Sequence, residues 1–224
     1  MKKIKSLKPF LLCGSVLACT AVMWFYDTFI SPPFYFKPII KMLFFLVIPT
    51  ILLMWTKTGT FKGMFRLSKK NFAMSLLGGL AVFVFILAAF FIFRNVFDFS
   101  KVAVTLEESI GVSRRNLLFV GIYISLVNSL LEEYFFRGVA FLTLKKKTNR
   151  VFAYCFSSLV FALYHVAVIR GWFDLPVYIL LIFSLAVAGV IFNLFGEKTN
   201  SILPSWFVHM FANFAIIIIG FLIL

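Results

Sequence analysis

The side chains best suited to chemistry are few, because the chain has only eight acidic residues and two histidines. Glu132 and Glu133 are adjacent in a long apolar stretch, and His165 and His209 lie in two later apolar stretches. Carboxylates and imidazoles are the usual general acids and bases of enzymes. Ionisable groups in such apolar surroundings are costly, which indicates a functional site. This set of groups is suited to activating water, binding a metal ion or relaying protons.

Helical spacing separates the roles of the two carboxylates. Arg137 follows Glu133 by four residues, so the two side chains share a helix face and are expected to pair. Glu132 points about 100° away from its neighbour, with Asn128 one turn before it on the same face. The two carboxylates are therefore expected to have different roles.

The two histidines have matching neighbours. Asn213 follows His209 by four residues, and Phe161 precedes His165 by four. At about 1.5 Å of rise per residue, Glu132 and His165 lie about 20 Å from one side of the predicted membrane and His209 about 12 Å. The spacing predicts one site at mid-membrane depth, open to cytoplasmic water.

Composition indicates that the elements holding these residues are membrane spans. The chain of 224 residues is 62% hydrophobic and 13% charged, against about 45–50% and about 25% for a soluble domain. Long unbroken apolar runs exclude a β-barrel, whose strands alternate. We predict an all-α, polytopic transmembrane helix bundle, a single membrane domain over 1–224, with seven spans of about 20 residues. The predicted spans are 10–30, 38–56, 72–93, 117–143, 151–169, 175–193 and 202–223.

The net charge of +14 is explained by membrane topology rather than by a nucleic-acid partner. With the N-terminus inside, 15 basic residues, Lys62 among them, fall on the inner side. Seven fall outside: Lys37, Lys41, Arg94, Lys101, Arg114, Arg115 and Arg170. The bias predicts a cytoplasmic N-terminus, and the first apolar stretch is expected to remain as an uncleaved span. The second span contains Lys41 and Pro49, which makes it the weakest of the seven.

Several other residues are interpreted without a catalytic role. Asp27 is expected at the membrane interface, Asn193 at the end of a helix, and most of the 32 phenylalanines against lipid. The cysteines, which have no metal-ligand or redox spacing, are expected to be small buried side chains: Cys13, Cys19 and Cys155. A proton-coupled transporter remains an alternative because carboxylates and histidines also build proton relays, but no repeat supports it.

Three short motifs resemble those of the CAAX protease and bacteriocin-processing family (CPBP, or Abi, proteins). They are Glu132-Glu133-x-x-x-Arg137, Phe161-x-x-x-His165 and His209-x-x-x-Asn213, in the family's order, and they place a catalytic core over 117–214. The resemblance implies an intramembrane endopeptidase. Its eukaryotic members trim prenylated proteins, and bacterial members are linked to bacteriocin maturation, self-immunity or peptide signalling. The alternative is an immunity or signalling protein that acts by binding.

The family resemblance implies roles for these residues in peptide hydrolysis. Glu132 and His165 activate water, His209 and Asn213 stabilise the oxyanion, and Glu133 with Arg137 supports the site. Alternatively, a zinc ion is held by three ligands: Glu132, His165 and His209. We favour the reaction without a cofactor, because the chain has no His-Glu-x-x-His helix. The expected partners are membrane lipid and a peptide or membrane-protein substrate, and the expected location is a bacterial plasma membrane.

Overall fold

The computed structural model describes residues 2–30, 36–57, 63–109 and 111–224. Within this part of the chain there are seven helices long and apolar enough to cross a membrane, and no strand. The spans are α1 (Pro9–Ile30), α2 (Lys37–Thr56), α3 (Lys69–Phe93), α5 (Leu117–Thr143), α6 (Arg150–Val168), α7 (Leu175–Thr199) and α8 (Leu203–Ile223). A short helix, α4 (Ser100–Val104), lies between α3 and α5. The predicted all-α polytopic membrane bundle is confirmed.

Six of the seven predicted spans match the helices to within three residues at either end, and the exception is informative. α7 continues to Thr199, so Asn193 is an interior residue and its assignment to a helix end is wrong. Its side chain is fully buried and donates to the Ser158 hydroxyl at 3.1 Å, and its oxygen accepts from Ser157 at 3.2 Å. The amide is satisfied by a neighbouring helix, so it does not need water at a helix end.

Local sequence signals explain where several spans begin. The Ser68 hydroxyl accepts from the Asn71 backbone N–H at 3.2 Å before α3, and Asn149 accepts from the Phe152 backbone N–H at 2.7 Å before α6. Pro176 and Pro204 occupy the first turns of α7 and α8. Proline suits this position because the backbone N–H it lacks has no partner within the helix.

α5 is the central helix of the bundle. In its most apolar stretch 44% of the residues are buried, against 11% in α3 and in α7, which therefore face mainly lipid. The phenylalanines follow the same division: Phe85 and Phe183 are 72% and 66% exposed, whereas Phe135 and Phe136 of α5 are 0% exposed. The expectation that phenylalanine faces lipid is thus correct for many phenylalanines of the outer helices, although Phe192 of α7 is buried, and wrong for the part of α5 around Phe135 and Phe136.

One further expectation, about the cysteines, needs correction. Only Cys19 is buried; Cys13 is half-buried and Cys155 is exposed, and all three are free thiols. Asp27 lies near the end of α1, as expected, and its side chain, 6% exposed, pairs with Lys37 at 3.2 Å. This ion pair joins the end of α1 to the start of α2. Lys62, one of the basic residues counted for topology, lies outside the described residues.

A charged cluster around Glu197 ties three spans together at one end of the bundle. The Glu197 carboxylate accepts two hydrogen bonds from Arg150, both at 2.8 Å, and one from the Tyr154 hydroxyl at 2.6 Å. Lys145, just beyond α5, donates to it at 3.1 Å. The cluster sets the ends of α5, α6 and α7 relative to one another.

α6 and α7 pack closely at Gly189, where a Cβ atom would lie 2.9 Å from Cα of Ser158. We expect Gly189→Ala to force the helices apart and destabilise the protein by about 1–3 kcal/mol. Thermal unfolding of the purified protein would measure this. Gly14→Ala is the matched control, because a Cβ added there would meet nothing within 4 Å and alanine favours the helix. Equal unfolding temperatures for Gly189→Ala and wild type would contradict this close packing.

Candidate active site

Glu132 lies in the middle of α5 with 3% of its surface exposed. Its Oε1 atom accepts from the Lys41 ammonium group of α2 and from Asn128 Nδ2 at 2.9 Å. Lys41 also donates to Asn128 Oδ1 at 2.6 Å, which closes a three-residue ring of hydrogen bonds. The predicted shared face of Asn128 and Glu132 is therefore seen in the structure. One carboxylate oxygen is fully engaged, and Oε2 is left for other partners.

Both histidines turn the same ring nitrogen toward that free oxygen. Nε2 of His165 lies 3.9 Å from Glu132 Oε2, and Nε2 of His209 lies 3.7 Å from it. These separations are too long for direct hydrogen bonds. They leave the spacing at which a water molecule can contact the carboxylate and an imidazole together. The structure thus brings Glu132, His165 and His209 into one cluster from three helices.

The opposite ring nitrogens are held by acceptors. His165 Nδ1 lies 2.8 Å from the Phe161 carbonyl oxygen, and His209 Nδ1 lies 2.9 Å from Glu133 Oε1. Since a carbonyl and a carboxylate can only accept, each Nδ1 carries a proton. In a neutral ring this leaves the Nε2 lone pair facing Glu132.

Glu133 connects His209 to a deeply buried arginine. Arg137 Nη1 lies 3.1 Å from Glu133 Oε1, as the four-residue spacing predicts, and both side chains are 0% exposed. The guanidinium carbon lies 4.2 Å and 4.7 Å from the ring centroids of Phe161 and Phe192. Aromatic faces and one carboxylate together offset the cost of burying this cation. Glu133 and Arg137 therefore orient His209 from outside the gap between Glu132 and the histidines.

The backbone of α5 is unusually wide around these residues. Ile124–Asn128 and Glu133–Thr143 form π-helical turns, and the Thr143 hydroxyl donates to the Gly138 carbonyl oxygen, five residues before it, at 2.9 Å. Such turns are rare and occur frequently at functional sites, but here they also occur in α1 (Tyr26–Ile30) and α2 (Leu43–Val47). The sequence predicts a helical span over 117–143 but not these π-helical turns.

Asn213 lies one turn beyond His209 on α8, but its side chain contacts the backbone of α5. Its Nδ2 donates to the Ile124 carbonyl oxygen at 3.3 Å. Trp206 also binds α5, donating to the Leu126 carbonyl oxygen at 3.1 Å and to Ser129 at 3.0 Å. These two residues lie on either side of His209, and their three hydrogen bonds hold α8 in register with α5.

Lys41 is a site residue that the sequence motifs do not predict. Its place among the basic residues of the outer side is corrected by the structure, which buries it to 4% exposure against Glu132. A signal is present in the sequence, since a lysine within an apolar span is as costly as a carboxylate. Its partner is not predictable from the sequence, because α2 and α5 meet only in the folded bundle.

The donor types of the cluster are those of a catalytic zinc site, but its geometry differs. Zinc ligands at about 2.0–2.1 Å stand only about 3.3 Å apart in a tetrahedron. Among the described residues no group of three His, Cys, Asp or Glu side chains is arranged to hold a metal ion. Glu132, the carboxylate of the set, already binds the ammonium group of Lys41. These residues, as arranged, do not fit a zinc ion.

The fold and the cluster define an integral membrane protein with carboxylates and imidazoles gathered inside its helix bundle. Residues 114–215 match the family model described as type II CAAX prenyl endopeptidase Rce1-like. The chain is also 30% identical over 150 residues to the membrane-embedded CAAX protease MroQ of Staphylococcus aureus (strain USA300). That match covers 64% of this chain and 56% of the relative, so the chain spans little more than half of that protein. No solved structure matches the chain.

These similarities agree with the CAAX protease resemblance that the three motifs indicated. The family match covers all of the motif residues and every span from α5 onward except the end of α8. Lys41 and the rest of α2 lie outside it. The site is therefore built from the matched segment together with one cation supplied by the part of the chain before it.

Removing the Glu133 carboxylate would leave the Arg137 charge buried without its ion-pair partner. We expect Glu133→Gln to destabilise the protein by about 3–5 kcal/mol. Thermal unfolding of the purified protein would measure the loss. Glu108→Gln, on an exposed carboxylate, is the control and should change stability by less than about 0.5 kcal/mol. If both variants unfold at the same temperature as the wild type, Glu133 is not the partner that stabilises Arg137.

Proposed function

We propose that this chain hydrolyses peptide bonds within or beside the membrane, using a water molecule activated by Glu132 and His165. The observation that carries the proposal is the convergence of Glu132 Oε2 and two imidazole Nε2 atoms, 3.7 and 3.9 Å away, inside an apolar bundle. The similarity supports the same reaction class, since the matched family model and the relative are described as a CAAX endopeptidase and a CAAX protease.

In the proposed reaction, water binds between Glu132 Oε2 and His165 Nε2. The Glu132 carboxylate takes a proton from the water molecule, and the water oxygen attacks the carbonyl carbon of the peptide. The carbonyl π bond breaks, and its electron pair becomes the oxyanion of a tetrahedral intermediate. When the oxyanion re-forms the carbonyl, the C–N bond breaks and the amine leaves with the proton that Glu132 held. Water is thereby divided between the two products, and Glu132 returns to its starting state.

His209 and Asn213 are proposed to stabilise the oxyanion. With Nδ1 held by the Glu133 carboxylate, Nε2 of His209 faces the gap, where it can donate to the oxyanion when it carries a hydrogen. Asn213 uses one amide hydrogen on the Ile124 carbonyl oxygen, and its second amide hydrogen is available to the oxyanion. Glu133 and Arg137 act through His209 and touch no reacting atom.

The proposed substrate is an apolar peptide or a segment of another membrane protein. A cavity of about 400 Å³ begins at Val166 and Ala167, directly after His165, and lies between the end of α1 and the start of α7. Its lining is largely apolar, with Arg170 as its charged member. Glu132, His165 and His209 do not line this cavity, so it is proposed only as a place where an apolar part of the substrate binds beside the end of α6.

The proposed membrane orientation, with the N-terminus in the cytoplasm of a bacterium, follows from the excess of basic residues on one side. Single cysteines placed at Lys147 and Glu108, with the three native cysteines replaced, would test it in intact cells. A membrane-impermeant maleimide should label the cysteine at 108 and spare that at 147. The reverse labelling pattern would contradict the orientation, and permeabilised cells, in which both cysteines react, are the control.

Glu132→Gln keeps the size of the side chain but removes the general base. We expect cleavage to fall by about 10²–10⁴-fold, the usual contribution of such a group. Comparing the peptides of membranes that contain wild type or Glu132→Gln at equal abundance would reveal the lost product. Glu107→Gln, on an exposed carboxylate, should cleave as wild type does. A Glu132→Gln variant that retains the full cellular phenotype would instead favour a binding role, such as self-immunity.

A further inference from the structure

Lys41 has a set of contacts that a residue of the membrane surface would not need. Its ammonium group donates to Glu132 and to Asn128, and it lies 4.9 Å and 5.2 Å from the ring centroids of Tyr164 and Phe45. All four neighbours favour a positive charge, since two are acceptors and two are aromatic faces. Lys37, one turn earlier on α2, has its own carboxylate in Asp27. The surroundings of Lys41 are thus built for a cation.

The charges of the buried cluster are balanced without any added ion. Lys41 contacts Glu132, and Arg137 contacts Glu133, so two cations meet two carboxylates among side chains that are almost fully buried. A divalent ion placed on this set would leave two uncompensated positive charges in a medium of low dielectric constant. Burying uncompensated charge is strongly unfavourable.

Apart from the presence of Lys41, the two imidazole rings around Glu132 Oε2 are oriented as in a metal site. In such sites each ligating imidazole usually donates its other ring N–H to a backbone carbonyl or a carboxylate. His165 does so to Phe161, and His209 does so to Glu133. What separates this cluster from a zinc site is therefore the cation that already neutralises Glu132, together with a few tenths of an ångström in donor spacing.

We propose that the Lys41 ammonium group stands in place of a metal ion in this active site. It neutralises Glu132, fixes Oε1 so that Oε2 faces the histidines, and excludes divalent cations from the cluster. Lys41 acts through Glu132 and is a positioning residue. The inference deepens the proposed metal-free reaction, but its test measures metal binding rather than cleavage. Its failure is therefore distinguishable from a failure of the proposed hydrolysis.

Lys41→Met tests the inference, because methionine retains an apolar side chain of similar length without the charge. After exposure to zinc and removal of the excess, purified wild type should retain essentially none, and Lys41→Met about one ion per chain. Lys41→Arg, which keeps the charge, should resemble wild type. Lys37→Met, with the same substitution one turn earlier, should also retain none. Zinc content is measured by elemental analysis, and folding by gel filtration and thermal unfolding.

A double variant locates the zinc. Lys41→Met combined with Glu132→Gln should lose the ion, because the carboxylate ligand is gone. Lys41→Gln is the second uncharged variant, suited to keeping the contact with Asn128 if Lys41→Met does not fold. Wild type that retains about one zinc ion per chain overturns the proposal, and that measurement needs no variant. Folded Lys41→Met or Lys41→Gln that binds no more zinc than wild type overturns it as well.

Discussion

Two adjacent carboxylates, Glu132 and Glu133, are buried in the apolar interior of the bundle, and both need a neutralising partner there. Each carboxylate is matched with a cation, but the two cations have different origins. Arg137 comes from the same helix, one turn away, whereas Lys41 comes from α2. An unpaired buried charge would cost several kcal/mol, so the position of α2 against α5 is coupled to the charge state of the site. Arrangements of the helices that break either pair are therefore disfavoured.

The two ion pairs have different roles in the site. The pair of Glu133 and Arg137 lies behind His209 and fixes its ring through Nδ1. The pair of Lys41 and Glu132 lies on the other side of the His209 ring, where Glu132 Oε2 faces Nε2. Aromatic rings enclose both: Phe192 stacks on His209 at 4.9 Å, and Phe161 lies 4.6 Å from the His165 ring. A dry apolar wall strengthens the electrostatic interactions inside it, which suits a reaction that develops charge.

Much of the site was predictable because its signals are local. Four-residue spacing correctly paired Glu133 with Arg137 and put Asn128 beside Glu132. The prediction failed where a partner came from another helix. Asn193 was assigned to a helix end, but Ser157 and Ser158 of α6 satisfy its amide in the interior. Lys41 was assigned to the outer surface for the same reason, since an isolated lysine in a sequence carries no sign of the carboxylate it will meet.

The sequence by itself determined the membrane location, the number of spans and the residue types available for chemistry. These follow from composition and from periodicities of a few residues, which do not depend on how the helices are arranged. Only the tertiary structure decided which nitrogen of each histidine faces Glu132, how α5 widens around the motif, and which cation neutralises the carboxylate. Those features depend on contacts between residues as far apart as Lys41 and Glu132, 91 positions along the chain. Such contacts exist only once burial of the charged groups and packing of the aromatic rings have fixed one arrangement of the helices.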